Sequence, residues 1–225
     1  MSYRTSKSKL FGTIGGLAVA GMVLAGVATI TAFTASSANS ATLGGITPPP
    51  LPDGMAPVPA GNKLFLGTHA VGTQNYVCQP SGAGVAYVLF TPQATLFGED
   101  GVQIITHFNS PNPDEPNTDP KVVAPQGTIR ATWQFKDTSR VWAKVHQPNG
   151  AVMVDQNSIA WLLLDAVGHQ NGPTGGDKLT KTTFVQRLNT TGGLAPATGC
   201  SSLTDVGNKA FVPYTADYFF YQPTK

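Results

Sequence analysis

The residues best suited to bind a ligand lie on one face of a predicted hairpin. Trp142 alternates with polar neighbours in the run 140–147, and the run 128–136 adds polar side chains to the same face. Sugar-binding sites commonly combine a flat ring, which stacks on C–H groups, with donors that bond hydroxyls. The candidate ligand-binding residues are therefore Trp142, Arg130, Gln134, Arg140, Lys144 and His146.

The same pattern has a second interpretation, which we favour for the ring itself. Trp142 packs under a loop or a second sheet in that case, and the long stems of the basic side chains cover it. The exposed fraction of the indole distinguishes a sugar-binding platform from a packed ring.

Metal-binding patterns are weak in this chain. The stretch Asp114–Asp119 places oxygen ligands close together, as calcium loops do, but it lacks the turn glycine and the closing glutamate. Calcium binding there is left open. No metal site is predicted from the histidines, because none are paired at i, i+2 or i, i+4 spacing; they are His69, His107, His146 and His169.

Two motifs resemble catalytic or nucleotide-binding loops but lack required residues. Ser81 fails the G-x-S-x-G pattern because Gln79 replaces the first glycine. The glycine-rich run before Lys178 has Asp177 where a phosphate loop needs glycine, and Leu179 where it needs a hydroxyl. We therefore predict no catalytic residue, no cofactor and no nucleotide partner.

The two cysteines, Cys78 and Cys200, are predicted to form a disulfide, which is the simplest state of two thiols in an exported chain. The bridge closes a loop of about 120 residues, for which the chain-entropy relation gives on the order of 4–5 kcal/mol.

The N-terminus has the order of an export signal. Basic residues precede an apolar run, and small residues follow, with Ser36-x-Ala38 as the best cleavage site. We predict a signal peptide over 1–38 and a secreted or cell-surface protein. The alternative is a retained membrane anchor, since the apolar run is long enough to cross a bilayer.

Charge argues against a nucleic-acid partner. The chain has 14 basic and 12 acidic residues, but Arg4, Lys7 and Lys9 lie in the predicted signal, so the remainder carries a net charge of −1. No basic cluster suits several phosphates at once. A Pro-rich spacer is predicted over 39–61, followed by one β-rich domain over 62–225.

Short β-like runs between turn residues predict an all-β domain, a β-sandwich or barrel of about nine strands. In the hairpin, Trp133 and Val141 alternate with polar residues, which places them on the inner face. The predicted runs are 62–68, 85–91, 102–108, 128–136, 140–147, 159–167, 180–188, 209–213 and 216–221.

Several segments resemble an exported family catalogued as a domain of unknown function, number 3455. They are Ala70–Cys78, Phe90–Phe97, Gly175–Phe184 and Ala195–Cys200, and the resemblance extends from about Pro57 to Tyr221. Both cysteines fall in these motifs, which is consistent with a shared bridge. The family implies no established activity. Some relatives are labelled malate dehydrogenase, but this chain lacks the G-x-G-x-x-G turn and the βαβ pattern of a nicotinamide site.

These observations together favour an exported, non-catalytic binding or surface protein, with glycan or cell-envelope material as the expected ligand. An extracellular polysaccharide hydrolase and a purely structural envelope protein are the alternatives. A membrane partner is expected only if the signal is retained.

Overall fold

Antiparallel β-strands make up nearly all of the regular structure in a computed structural model of the protein, which describes residues 45–117 and 127–225. A 3₁₀ turn, Leu203–Asp205, is the only helical element of the described residues. The strands are β1 (Asn62–Ser81), β2 (Gly84–Phe97), β3 (Gln103–Asn112), β4 (Thr128–Phe135), β5 (Arg140–Val145), β6 (Ala151–Val152), β7 (Trp161–Gln170), β8 (Phe184–Gly192) and β9 (Lys209–Pro223).

Eight of the strands close into a barrel. Their order is β5-β4-β3-β2-β1-β9-β8-β7, and β5 pairs with β7 from Arg140↔Gln170 to Val145↔Leu164, which joins the two ends of the sheet. The ninth strand, β6, pairs only with the start of β7. The predicted all-β class is confirmed, and of the two predicted architectures the chain adopts the barrel, which leaves few strand edges free.

The hairpin predicted over 128–136 and 140–147 is confirmed as β4 and β5, with the turn at Asp137–Ser139. Other boundaries differ from the prediction. The runs 209–213 and 216–221 form one long strand, β9, and β1 continues well past residue 68. The sequence pattern missed β6, since a two-residue strand has no periodicity to detect.

Apolar side chains pack on both sides of the barrel wall. The interior holds a large cluster that includes Leu66, Leu96 and Phe220, all without exposed surface. A second cluster lies outside the wall around Phe219, where Met55 and neighbouring residues of the Pro-rich segment cover it. The part of the predicted spacer after residue 44 therefore packs against the barrel.

The disulfide between Cys78 and Cys200 is confirmed, with a sequence separation of 122. It ties β1 to the loop before β9, and backbone bonds reinforce the junction: Cys78 N donates to Asn208 O at 2.8 Å, and Gly207 N donates to Cys78 O at 2.9 Å. The predicted signal over 1–38 lies outside the described residues. Within the two described ranges, no helix is long and apolar enough to cross a membrane.

The glycine-rich run before Lys178 forms a turn held by the β4–β5 hairpin. Asp137 Oδ2 accepts the Lys178 N–H at 3.0 Å, and Ser139 Oγ accepts the Leu179 N–H at 3.1 Å. A Cβ at Gly176 would overlap Asp137 O, so this position requires glycine. The backbone amides at Lys178 and Leu179 are thus occupied by the protein itself.

Candidate ligand-binding site

The indole of Trp142, the centre of the predicted sugar-binding face, is buried. Only 1% of the residue is exposed, and its Nε1–H donates to Ser110 Oγ at 2.9 Å. A ring without an open face cannot stack on a sugar. The expectation of an exposed aromatic platform is therefore wrong, and the alternative of a packed ring is correct.

The cover over Trp142 comes from the end of β3 and the turn after it. Asn112 Nδ2 donates to Val167 O at 3.1 Å and to Glu115 Oε2 at 2.9 Å, which holds this segment against β7. Gly168 pairs with Trp142, and a Cβ there would overlap Asn112 Oδ1. The sequence pattern placed the ring on the correct side of the strand, but a second layer of chain covers that side.

The polar members of the predicted set do not surround an open ring. Lys144 is exposed, and the others form separate pairs along the outer wall. These pairs are Arg130 Nε with Glu115 Oε2 at 2.7 Å, Arg140 Nε with Gln134 Oε1 at 2.6 Å, and His146 Nδ1 with Asp165 Oδ1 at 2.7 Å.

We expect the pair of Glu115 and Arg130 to stabilise the fold in a pH-dependent way. Two hydrogen bonds from Arg130 lower the pKa of Glu115 from 4.5 to about 2. Because the folded-state pKa is depressed, the contribution is complete above pH 4.5 and is lost as pH falls through about 2. Glu115→Gln should remove about 1 kcal/mol of stability at pH 7 and flatten the acid limb of a Tm-against-pH curve. An unchanged acid limb would contradict this role.

The histidines and the acidic loop form no metal cluster in the part of the chain that the structure describes. His69 Nδ1 lies 2.6 Å from Asp217 Oδ1 on the outer wall. In the loop considered for calcium, Asp114 accepts the His169 N–H at 3.1 Å, and the carboxylate of Glu115 faces Arg130. The last two residues of that loop lie outside the described ranges.

A cavity of about 290 Å³ at one end of the barrel combines an apolar wall with a few polar side chains, as ligand sites do. It opens to solvent between Leu89 and Ile129, which are 45% and 47% exposed. Each of the eight closed strands contributes at least one lining residue; in strand order these include Gln74, Leu89, Asn109, Ala131, Val145, Leu162, Arg187 and Tyr218.

Three aromatic side chains in the cavity lining pack against one another. His107 lies flat on Trp133, with ring centroids 4.3 Å apart and planes 8° apart, and Tyr218 meets Trp133 edge-on at 5.7 Å. All three are at most 3% exposed. Because aromatic rings have few rotatable bonds and large contact areas, they give the cavity a preformed floor.

Arg187 brings a positive charge inside the barrel wall. Its Nε and Nη2 donate to Ala160 O at 3.2 and 2.9 Å, and its positive charge acts on Tyr218, where it opposes the larger effect of desolvation on the pKa of the hydroxyl. Of the ion pairs formed by the described residues, none includes Arg187. A partly buried cation without a counter-ion is costly to desolvate, so an anion at this position would be favourable.

Two further donors in the cavity lining have no acceptor among the described residues. Gln74 Nε2 and Trp133 Nε1 are buried, and neither makes a hydrogen bond. The residues themselves are 2% and 1% exposed. Since buried polar groups are nearly always hydrogen-bonded, such orphaned donors indicate a missing acceptor.

Burial keeps the ionisable groups of the floor neutral. Desolvation, with a smaller effect from the positive charge of Arg187, lowers the pKa of His107 to about 3, although its bond to Thr132 O opposes the shift. Desolvation also raises the pKa values of Tyr214 and Tyr218. Arg187 is therefore the charged group at the floor near neutral pH.

Sequence reasoning missed Arg187, although a signal for it exists. Arg187 lies in the predicted run 180–188, two positions after Val185, which has no exposed surface. With the period of two in a strand, Arg187 shares the inward face with Val185. A charged residue on the same strand face as buried apolar residues indicates an internal polar site, and the alternation pattern alone gives this signal.

The fold and the cavity define a disulfide-bridged, closed β-barrel protein with an internal cavity, of the type that can hold one small ligand. Residues 59–222 match the family described as "Protein of unknown function (DUF3455)", and the chain belongs to this family. The resemblance found in the sequence is thereby confirmed. Comparison with curated proteins and with solved structures finds no match. The family description states no activity, so functional inference depends on the cavity.

Proposed function

We propose that this protein is an exported, non-catalytic binding protein that holds a small, mostly apolar molecule inside its barrel. The observation that carries the proposal is the cavity of about 290 Å³, to which all eight closed strands contribute. Its volume is at the lower end of the range for ligand sites, and aliphatic side chains form much of its wall, as is usual for them.

The location outside the cytoplasm is part of the proposal. The disulfide supports it, because such bridges persist in oxidising compartments. The order of basic, apolar and small residues over 1–38 supports it independently.

The cavity chemistry favours binding over hydrolysis. Among the lining residues that the structure describes there is no aspartate or glutamate, so the paired carboxylates of a glycosidase do not meet there. The burial of Trp142 also removes the surface on which the glycan hypothesis depended. A small apolar ligand therefore replaces glycan as the proposed class.

A neutral apolar dye tests the proposal. Mature protein is titrated with N-phenyl-1-naphthylamine, whose emission rises in apolar surroundings, and the dye is displaced with 1-decanol. We expect saturable binding, and we expect Ala131→Phe to weaken it at least tenfold, because the ring would fill the cavity that Ala131 lines.

Ala151→Phe is the matched control, since Ala151 is exposed on β6, outside the cavity. Absence of saturable binding in the wild type would overturn the proposal. Incubation with insoluble chitin, cellulose and peptidoglycan tests the alternatives: release of soluble sugar would establish the hydrolase, and neither binding nor release would favour the structural protein.

A further inference from the structure

The charged side chains in the cavity lining are all cations, although the apolar wall alone would suit an uncharged ligand. The described lining contains three cationic residues and no carboxylate. Of these cations, Arg130 is neutralised by Glu115, and Lys144 belongs to the exposed outer face. Arg187 is the cation on the inward face.

The hydrogen-bonding capacity of Arg187 is only partly used. A guanidinium has five N–H groups in one plane. Ala160 O accepts two of them, from Nε and Nη2, which leaves N–H groups on both terminal nitrogens. Because a guanidinium matches the geometry of two oxygens on one centre, the free N–H groups suit an oxyanion.

The two donors without an acceptor also favour a ligand group that accepts hydrogen bonds. Gln74 Nε2 and Trp133 Nε1 can only donate, and both lack an acceptor in the described structure. A ligand hydroxyl or amine would leave a positive charge uncompensated. A carboxylate, with two acceptor oxygens and a negative charge, satisfies all three side chains.

From this juxtaposition we infer that the ligand is a small amphipathic carboxylic acid, whose carboxylate is bound by Arg187 with Gln74 and Trp133 and whose apolar body lies against Leu89, Ile129 and Leu162. The inference depends on the proposed function, because it names the ligand class of the same cavity. The cation and the donors lie at the inner end of the cavity, and aliphatic side chains lie at its mouth. The acid is therefore oriented with its carboxylate innermost.

The test compares a carboxylic acid with its uncharged analogue. Decanoic acid and 1-decanol are titrated into mature protein by calorimetry at pH 7.5. We expect the acid to bind about ten- to a hundredfold more tightly, as charge-assisted hydrogen bonds would give. Arg187→Gln should remove that preference and leave the affinity for 1-decanol within about twofold. Arg187→Lys should restore part of it, because the charge returns without the planar fork.

Arg140→Gln is the matched control, since Arg140 bonds Gln134 on the outer wall, and it should leave both affinities unchanged. If Arg187→Gln does not fold, the ratio of acid to alcohol in the wild type, and its reduction in Gln74→Leu, test the inference without it. Equal affinity of acid and alcohol in the wild type would overturn the carboxylate inference and leave the binding function standing. Binding of neither would overturn the proposed function itself.

Discussion

Trp142→Ala should destabilise the protein by about 3–5 kcal/mol, the range for removing a buried aromatic side chain. The ring is 1% exposed, lies between the barrel wall and the cover formed by the end of β3, and bonds Ser110 Oγ. Its removal leaves a cavity between two layers and takes away one of the two hydrogen-bond partners of Ser110 Oγ, the other being Thr132 Oγ1. Urea unfolding followed by circular dichroism measures the effect, as a lower midpoint at unchanged m-value.

The control is Trp142→Phe, which keeps most of the ring volume but removes the N–H. This variant should lose about 1–2 kcal/mol, mainly from the lost hydrogen bond and incomplete packing. Both variants should bind the neutral dye as the wild type does while folded, because Trp142 faces away from the cavity. A loss below about 1 kcal/mol in Trp142→Ala, together with lost glycan binding, would restore the exposed-platform hypothesis.

The same residue shows how far the sequence could predict the site. Alternation in β5 correctly places Trp142 opposite Val141 and Ala143, because a strand has a fixed period of two. Alternation says nothing about a segment more than twenty residues earlier that folds over the outer face. Whether an outward ring is exposed depends on tertiary packing. The hydrogen bond that holds the cover over Trp142 connects Asn112 of β3 to Val167 of β7.

The barrel could be predicted only as one of two architectures for a similar reason. Local turn residues predict the β4–β5 hairpin, since only four residues connect its strands. Closure depends instead on the pairing of β5 with β7, and no turn specifies that contact. Without closure there is no cavity, so Arg187 remains one charged residue in a strand. The candidate site became visible only when the topology brought eight inward faces together.

Acid should destabilise the protein through His107, well before its carboxylates are protonated. The pKa of His107 is lowered from 6.5 to about 3 by burial, against Trp133 and Tyr218 and near the charge of Arg187. Between these values the unfolded chain binds a proton that the folded chain excludes, so stability falls as pH falls from 6.5. Between pH 7.5 and pH 5 the resulting loss in the free energy of unfolding is about 2 kcal/mol.

His107→Gln separates this effect from those of all other titrating groups. The amide can still donate to Thr132 O, as His107 Nδ1 does at 2.9 Å, but it does not titrate. At pH 7.5 the variant should have a lower free energy of unfolding than the wild type, because the amide packs imperfectly on Trp133. Between pH 7.5 and pH 5 its free energy of unfolding, measured with urea, should fall by about 2 kcal/mol less than that of the wild type. Carboxylate pairs such as Glu115 with Arg130 act at lower pH and are common to both proteins, so the difference isolates the imidazole. Parallel pH profiles would mean that the floor of the cavity admits a proton, and that the interior next to Arg187 is far more hydrated than its packing indicates.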